Sequence, residues 1–501
     1  MELRRLLAAV FAVVALWALL GSGVRATYGA RVTADEPQYL LSAISLVEDG
    51  DLDIADELAV ERWRDFHDAQ LPRQTEPRPD GSELSPHDPL LPVLLAPGVA
   101  VAQVVAGDWQ HAELAGARVV LALVAGALAA LLVRTAVARL GVRRSTAVVV
   151  VGAFALAAPL STYGNQLYPE LVAALAVAVG AAALLELAAA AEHRRRWGST
   201  VAWVGAVVAL PWLGVKYAAV AAAIAALGLV FDRRHRVAAL VALVVAGVAY
   251  LVVHQRVYGG WTVYAAGDHF VDGELTVVGN DPDHLGRTVR LAGLLVDRHF
   301  GLLVWAPAYL LALPAVGALL RRRDRIAAVL LVPLAAGWAT ATWVALTMHG
   351  WWWPGRQVVV VLPLAVLAVT VFVDRERRAG ARWVWPVLVG TGAVGVTTWA
   401  WLAIEATFGG LRLIVDFDRT TNPWVQAAHL VLPDLREGGW ATDLVLSVWA
   451  VVLLALAAWG WRRGRSGRRG TRPASASRPG SGPPSADSSR GDTAGSPPGH
   501  R

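Results

Sequence analysis

Residues 31–52 read RVTADEPQYLLSAISLVEDGDL. They follow one apolar run, LLAAVFAVVALWALLGSGV at 6–24, and place two adjacent acids, Asp35 and Glu36, just where the chain leaves that run. Pro37 sets the local geometry. It has no N–H and is best tolerated at the first helical position. It also pushes Glu36 away from helical dihedrals. A helix is therefore predicted from Pro37 to about Glu48, ending before Gly50. Leu40, Leu41, Ile44 and Val47 share one face, whereas Gln38, Ser42, Ser45 and Asp49 lie away from it. That pattern predicts an amphipathic helix on a membrane surface.

Beyond this stretch, the chain of 501 residues is 56% hydrophobic, and its apolar residues come in blocks long enough to span a bilayer. The fold class is therefore an all-α polytopic membrane protein. Cysteine is absent, which excludes a disulfide framework and a cysteine metal site. The basic residues are almost all arginine, and Lys216 is the only lysine. The arginines sit in short runs between apolar blocks. That is the orientation signal of a membrane protein, and no nucleic-acid partner is expected.

About twelve spans are predicted: 5–24, 113–133, 146–163, 169–191, 199–213, 216–231, 237–255, 301–320, 326–347, 357–373, 383–404 and 442–461. The first is read as an uncleaved span rather than a signal peptide. Between the spans lie RTAVARLGVRR, EHRRRW, DRRHR, RRRDR and DRERRAGAR. With Arg4 and Arg5, these clusters place both termini in the cytoplasm. The segment PLLPVLLAPGVAVAQVVAG at 89–107 is also long enough to cross, but crossing would put every later cluster outside. It is predicted to stay on the outer side as a juxtamembrane or re-entrant segment, a role its three prolines and two glycines suit. Residues 1–461 then form one transmembrane domain, with a first outer loop at 25–112. Residues 462–501 form a basic tail that cannot bury a core and is expected to be disordered and cytoplasmic.

The acidic pair has two readings. Carboxylates at a helix start commonly cap it, worth about 0.3–1 kcal/mol, and Thr33 and Glu36 have capping-box spacing. A carboxylate at the lipid–water boundary is also partly desolvated. That raises its pKa and its strength as a base, and it faces whatever a lipid head group presents.

An acidic pair just after the first span resembles the C-type membrane glycosyltransferases, with protein O-mannosyltransferases and lipid A aminoarabinose transferases the nearest patterns. SPHDPLLPVLLAPG at 85–98 is similar to the proline-rich juxtamembrane segment of those enzymes, although HDPLLP stands in place of their double proline. AELAGARVVLALVAGALAALLV at 112–133 is similar to the arginine-containing start of their second span, and NQLYPEL at 165–171 sits at an outer turn, as a similar segment does there. The resemblance covers roughly residues 1–360. It implies transfer of a sugar, by a hexosyl- or pentosyltransferase, from a polyprenyl-phosphate donor to a glycan, lipid or protein acceptor on the outer face. By family position Asp35 is the expected general base. Glu36 would orient the acceptor or hold Asp35, and which acid does which job stays open.

A leaving phosphate needs cations at the outer ends of spans. Lys216 in PWLGVKYA and Arg356 in HGWWWPGRQ are the candidates for binding it, against interfacial anchoring as the plain alternative. His87, Asp88, Glu170 and His349 are candidate substrate-binding residues. The polar residues of 256–300 match no ligand set, so no metal site is assigned and no cofactor is expected, with a divalent metal left open. The arginine-over-lysine bias points to a bacterial plasma membrane. The competing readings are a transporter or flippase of a lipid-linked or polar substrate, and a non-catalytic cell-envelope assembly protein.

Overall fold

The computed structural model describes residues 2–106, 109–189, 197–270 and 272–464. Residues 192–196 of the EHRRRW cluster and 465–501 of the tail lie outside them. Among the described residues the chain is helical, with isolated bridges and no sheet. Seven helices among the described residues are long and apolar enough to cross a membrane: Ala112–Ala138, Glu170–Ala189, Arg236–Val257, Arg325–Val344, Arg356–Arg378, Val384–Thr407 and Trp440–Arg463. This is a multi-pass membrane protein.

The other expected crossings are shorter or broken. Leu3–Leu19 and Trp197–Leu213 have 17 residues each, and Ala218–Phe231 has 14. The segment expected at 146–163 is helical only over Arg144–Ala155 and ends in a 3-10 turn at Thr162–Gly164. That expected at 301–320 divides at Pro307 into Leu302–Trp305, a 3-10 turn Pro307–Leu311 and Ala312–Arg322. Pro307 offers no N–H to the preceding turn, and the helix breaks there. Among the described residues, several of the about twelve expected crossings are therefore short or divided.

The bundle has two chemically different ends. At one, arginines meet acids: Arg143 Nε lies 2.8 Å from Asp374 Oδ1, Arg139 Nη2 lies 2.8 Å from Glu186 Oε2, and Arg463 pairs with Glu376. At the other lies the first loop. The Glu170–Ala189 and Arg356–Arg378 helices join these ends, since Arg356 bonds to both Asp35 and Glu170 while Glu186, Asp374 and Glu376 meet the arginines.

Within the loop, the helix beginning at the acidic pair is Glu36–Glu48, with Pro37 in its first turn, and Gly50 turns the chain with φ +82°. It is not an amphipathic helix lying open on a surface. Gln38, Ser42 and Ser45, on its polar side, are 1%, 3% and 0% exposed. The loop closes over them, and Ser45 Oγ donates to Asp53 O at 2.8 Å.

The 89–107 segment forms the Leu90–Ala106 helix, which packs against both Glu36–Glu48 and Ala112–Ala138. Glycine permits the close crossing, because a Cβ on Gly98 would stand 2.5 Å from Gly116 O. At the start of the helix, His87 Nε2 lies 3.8 Å from Asp35 Oδ1. Near its end, Gln103 Nε2 donates to Glu48 Oε1 at 2.7 Å, and Arg62 joins Glu48 to Glu113. Arg118, one turn further, donates to Ser22 O and Arg31 O. Both ends of Leu90–Ala106 thus lie against the first loop, at the end of the bundle opposite the Arg143–Asp374 pair.

Candidate functional site

Asp35, Lys216 and Arg356 line one cavity of about 240 Å³, closed by Tyr39, His87 and Tyr264. Each comes from a different part of the chain. Asp35 stands at the cap of Glu36–Glu48, Lys216 in a 3-10 turn Val215–Tyr217, and Arg356 just after Gly355, whose φ of +84° turns the chain into the next helix. Glu170, the first residue of its helix, holds them together. Its Oε1 accepts from Lys216 Nζ at 2.6 Å and from Arg356 Nε at 2.8 Å. Arg356 Nη2 donates to Asp35 Oδ2 at 2.6 Å.

The guanidinium of Arg356 also lies 4.2 Å from the Tyr168 ring centre and 4.8 Å from that of Trp352. That sandwich, two carboxylates and 8% exposure fix the side chain. Lys216 is freer. Its side chain is 31% exposed, and an ammonium with one acid partner keeps donors for another anion. Two cations and two carboxylates meet here, so the quartet is close to neutral before any ligand enters.

The acidic pair separates. Asp35 faces the cavity. Glu36 is 0% exposed and turns the other way, where its Oε2 accepts from Thr33 N and its Oε1 from Leu167 N, each at 2.9 Å. The Thr33 contact fixes the approach to the helix, which begins at Glu36 itself and so forms no capping box, and the Leu167 contact ties the loop helix to the NQLYPEL turn. Burial pushes the Glu36 carboxyl up to about 7 despite Arg118 and the two amide donors. Asp35 goes against expectation. Burial alone would raise its pKa, but Arg356 and then His87 outweigh that and hold the carboxyl well below the usual range. The sequence argument from desolvation omitted the arginine, which arrives from the far half of the chain.

His87 lies edge-on to Tyr39, with ring centres 4.6 Å apart, and its Nδ1 is 3.0 Å from Ser85 Oγ. Asp88 lines the same cavity but is held. Its Oδ2 accepts from Val215 N, and its Oδ1 is 3.3 Å from both Tyr250 OH and His254 Nε2. It therefore ties the Leu90–Ala106 helix to the turn that carries Lys216. His349 is elsewhere. Its Nε2 lies 3.5 Å from Asp297 Oδ1 and its ring packs on Phe300, so it does not join the cavity. Sequence reasoning missed Tyr39, Gln74, Tyr264 and Phe270, which line the cavity. Only Tyr39, one turn from Asp35, carried a signal in its helical spacing.

The arrangement can hold a carboxylate ionised beside cations that suit a phosphate, the equipment for removing a proton while stabilising an anionic leaving group. No protein-family model matches the chain, and no curated protein matches it. Solved structures do. ArnT from Cupriavidus metallidurans bound to undecaprenyl phosphate aligns at 15% identity with a TM-score of 0.52, over 92% of this chain and 77% of that one. Its apo state aligns at 16% with a TM-score of 0.51, over the same shares. An Archaeoglobus fulgidus oligosaccharyltransferase overlays more loosely, at 12% identity and a TM-score of 0.38, over 90% of this chain and 56% of that one. The chain shares its fold with ArnT, a C-type glycosyltransferase-like fold.

Proposed function

We propose that this chain is an integral membrane glycosyltransferase that moves a sugar from a polyprenyl-phosphate donor to an acceptor on the outer face of a bacterial plasma membrane. The observation that carries the reading is the chain of contacts Asp35–Arg356–Glu170–Lys216 on the wall of one cavity. The fold it shares with an ArnT that holds undecaprenyl phosphate supports the donor class.

In this reading the first loop faces outward, both termini are cytoplasmic, and Leu90–Ala106 lies along the membrane surface. Lys216 binds the donor phosphate. Arg356 turns part of its hydrogen bonding from Asp35 and Glu170 toward the same phosphate. Asp35 then loses a counter-cation, and its basicity rises just when the donor is in place. It accepts the proton of the acceptor hydroxyl as that oxygen bonds to the anomeric carbon. The bond from that carbon to the phosphate oxygen breaks, and the polyprenyl phosphate leaves with the electron pair. Attack and departure on opposite faces invert the carbon. His87, beside Asp35, offers a route for the proton to water. Glu36 holds the loop helix in place rather than taking part. Hexosyl and pentosyl donors both suit a cavity of this size.

The test is turnover of a polyprenyl-phosphate sugar by purified protein, wild type beside Asp35→Asn. Loss of transfer in the folded variant supports the assignment, and full transfer overturns it.

A further inference from the structure

The loop helix leaves its last turn into DGDLDIADE, residues 49–57, a run with five acids. Two of them shape the turn. Asp51 Oδ1 accepts from Ser45 Oγ and Asp53 N, both at 3.0 Å. Asp53 Oδ1 accepts from Ala55 N at 3.1 Å and from Glu83 N at 2.8 Å. The other three, Asp49, Asp56 and Glu57, point at one another, each with a carboxylate oxygen within 4.8 Å of the other two. Asp49 and Asp56 are exposed. Glu57 is 3% exposed, and neither of its oxygens has a hydrogen-bond partner. The further charges acting on Asp49 are Asp51 and Glu48, also acids, the latter paired with Arg62.

A buried carboxylate with no donor, aimed at two other carboxylates, is an unstable arrangement by itself. It needs either a proton held between Glu57 and Asp56 or a cation. We propose that Asp49, Asp56 and Glu57 form a divalent-cation site selective for Ca²⁺, at the opposite end of the loop helix from Asp35. The ligand set is all oxygen, which suits a hard cation and disfavours zinc. Calcium accepts six to eight oxygens in flexible geometry, whereas magnesium demands a near-ideal octahedron, which three carboxylates from one stretch of chain do not pre-form. The exposed sides of Asp49 and Asp56 leave room for the water ligands that complete a calcium shell. Three protein ligands place the affinity in the weak class, about 10⁻⁴–10⁻³ M. Bound there, the ion joins the end of Glu36–Glu48 to the Ala55–Ala59 helix and stiffens the element that carries Asp35.

The test uses the full chain purified in detergent and stripped with a chelator. CaCl₂ and MgCl₂ are titrated separately while thermal unfolding and calorimetric heat are followed. The expected result is one Ca²⁺ per chain and a rise in Tm with millimolar CaCl₂ that equal MgCl₂ does not reproduce. Glu57→Gln, which mimics the protonated acid, should fold at or above the Tm of the stripped wild type and lose the calcium response. Asp49→Asn, at an exposed position, should lose the response too, and serves if Glu57→Gln does not fold. No calcium-dependent shift in wild type, or an undiminished shift in these variants, overturns the site and leaves a shared proton. Sugar transfer is not the readout, so the outcome is independent of the proposed enzymatic function.

Discussion

Arg356 Nη2 lies 2.6 Å from Asp35 Oδ2, an ion pair closed across 321 residues of chain. It joins the first loop to the start of the Arg356–Arg378 helix and sets the protonation of the acid facing the cavity. Both its stability and its chemistry can be tested by substitution.

Asp35→Asn keeps the shape and one oxygen acceptor for Arg356. Neutralising the carboxylate leaves Arg356 without that counter-charge, so the variant should be destabilised by up to about 3–5 kcal/mol, the range for one partner of a buried ion pair, and lose about 10²–10⁴ in transfer rate, the range for a general base. Turnover beside a thermal melt of the same preparation separates the two effects.

Lys216→Gln leaves Glu170 paired with Arg356, so the fold should hold. What it removes is the more exposed of the two cations in the cavity. A charge-assisted hydrogen bond is worth about 1.5–3 kcal/mol, so the donor KM should rise about 10–150-fold. Arg356→Lys should cost more, because one ammonium cannot span Asp35 and Glu170 in the plane a guanidinium does. An unchanged donor KM in Lys216→Gln would remove lysine from the phosphate site.

Glu36→Gln should behave as a structural change. One of the two amide donors, Thr33 N or Leu167 N, would face an NH₂ group instead of an oxygen. Leaving one such donor unmet costs about 1–3 kcal/mol. The expected result is a lower Tm with transfer per folded molecule near wild type. A collapse of transfer at an unchanged Tm would move Glu36 into the chemistry.

The same residue predicts a pH dependence of stability. Its carboxyl rises from 4.5 to about 7 on folding, so the folded state binds the proton more tightly. The stabilising contribution is fully present below pH 4.5 and is lost as pH rises through about 7, with a total of about 3 kcal/mol. Asp35 has the opposite sign, but its depressed pKa acts only below its unfolded value of 3.8, outside this window. Melts of wild type and Glu36→Gln between pH 5 and 8 isolate the effect as the difference between their slopes, since Glu57, pushed up to about 8 by burial, titrates in both.

Orientation is open to direct labelling because the chain has no cysteine. Glu76→Cys, exposed in the first loop, should react with an impermeant reagent applied to intact cells, and Ser145→Cys, exposed at the arginine end, should not. Labelling of Ser145→Cys alone would invert the proposed topology.

What the sequence determined by itself is local or counted along the chain. The apolar blocks specify a helical membrane protein because a bilayer satisfies backbone polar groups only within such elements. Pro37 marks the first turn of the loop helix, which starts one residue earlier than expected at Glu36, and Gly50 marks where it stops, because each restricts or frees one residue's dihedrals. The positions of Asp35, Lys216 and Arg356 at the ends of apolar blocks were readable for the same reason.

Tertiary structure alone decided which of these residues meet. Adjacent side chains at a helix start point in different directions, so Asp35 reaches the cavity while Glu36 is buried against Thr33 and Leu167. Glu170, a candidate substrate-binding residue by sequence, instead holds both cations. His349, seven residues from Arg356, went to Asp297 instead. Even the sign of the Asp35 pKa shift reversed, because a charge 2.6 Å away outweighs the desolvation that sequence position suggests. Ion pairs depend on distances of a few ångströms between helices far apart in the chain, and no local pattern encodes those distances.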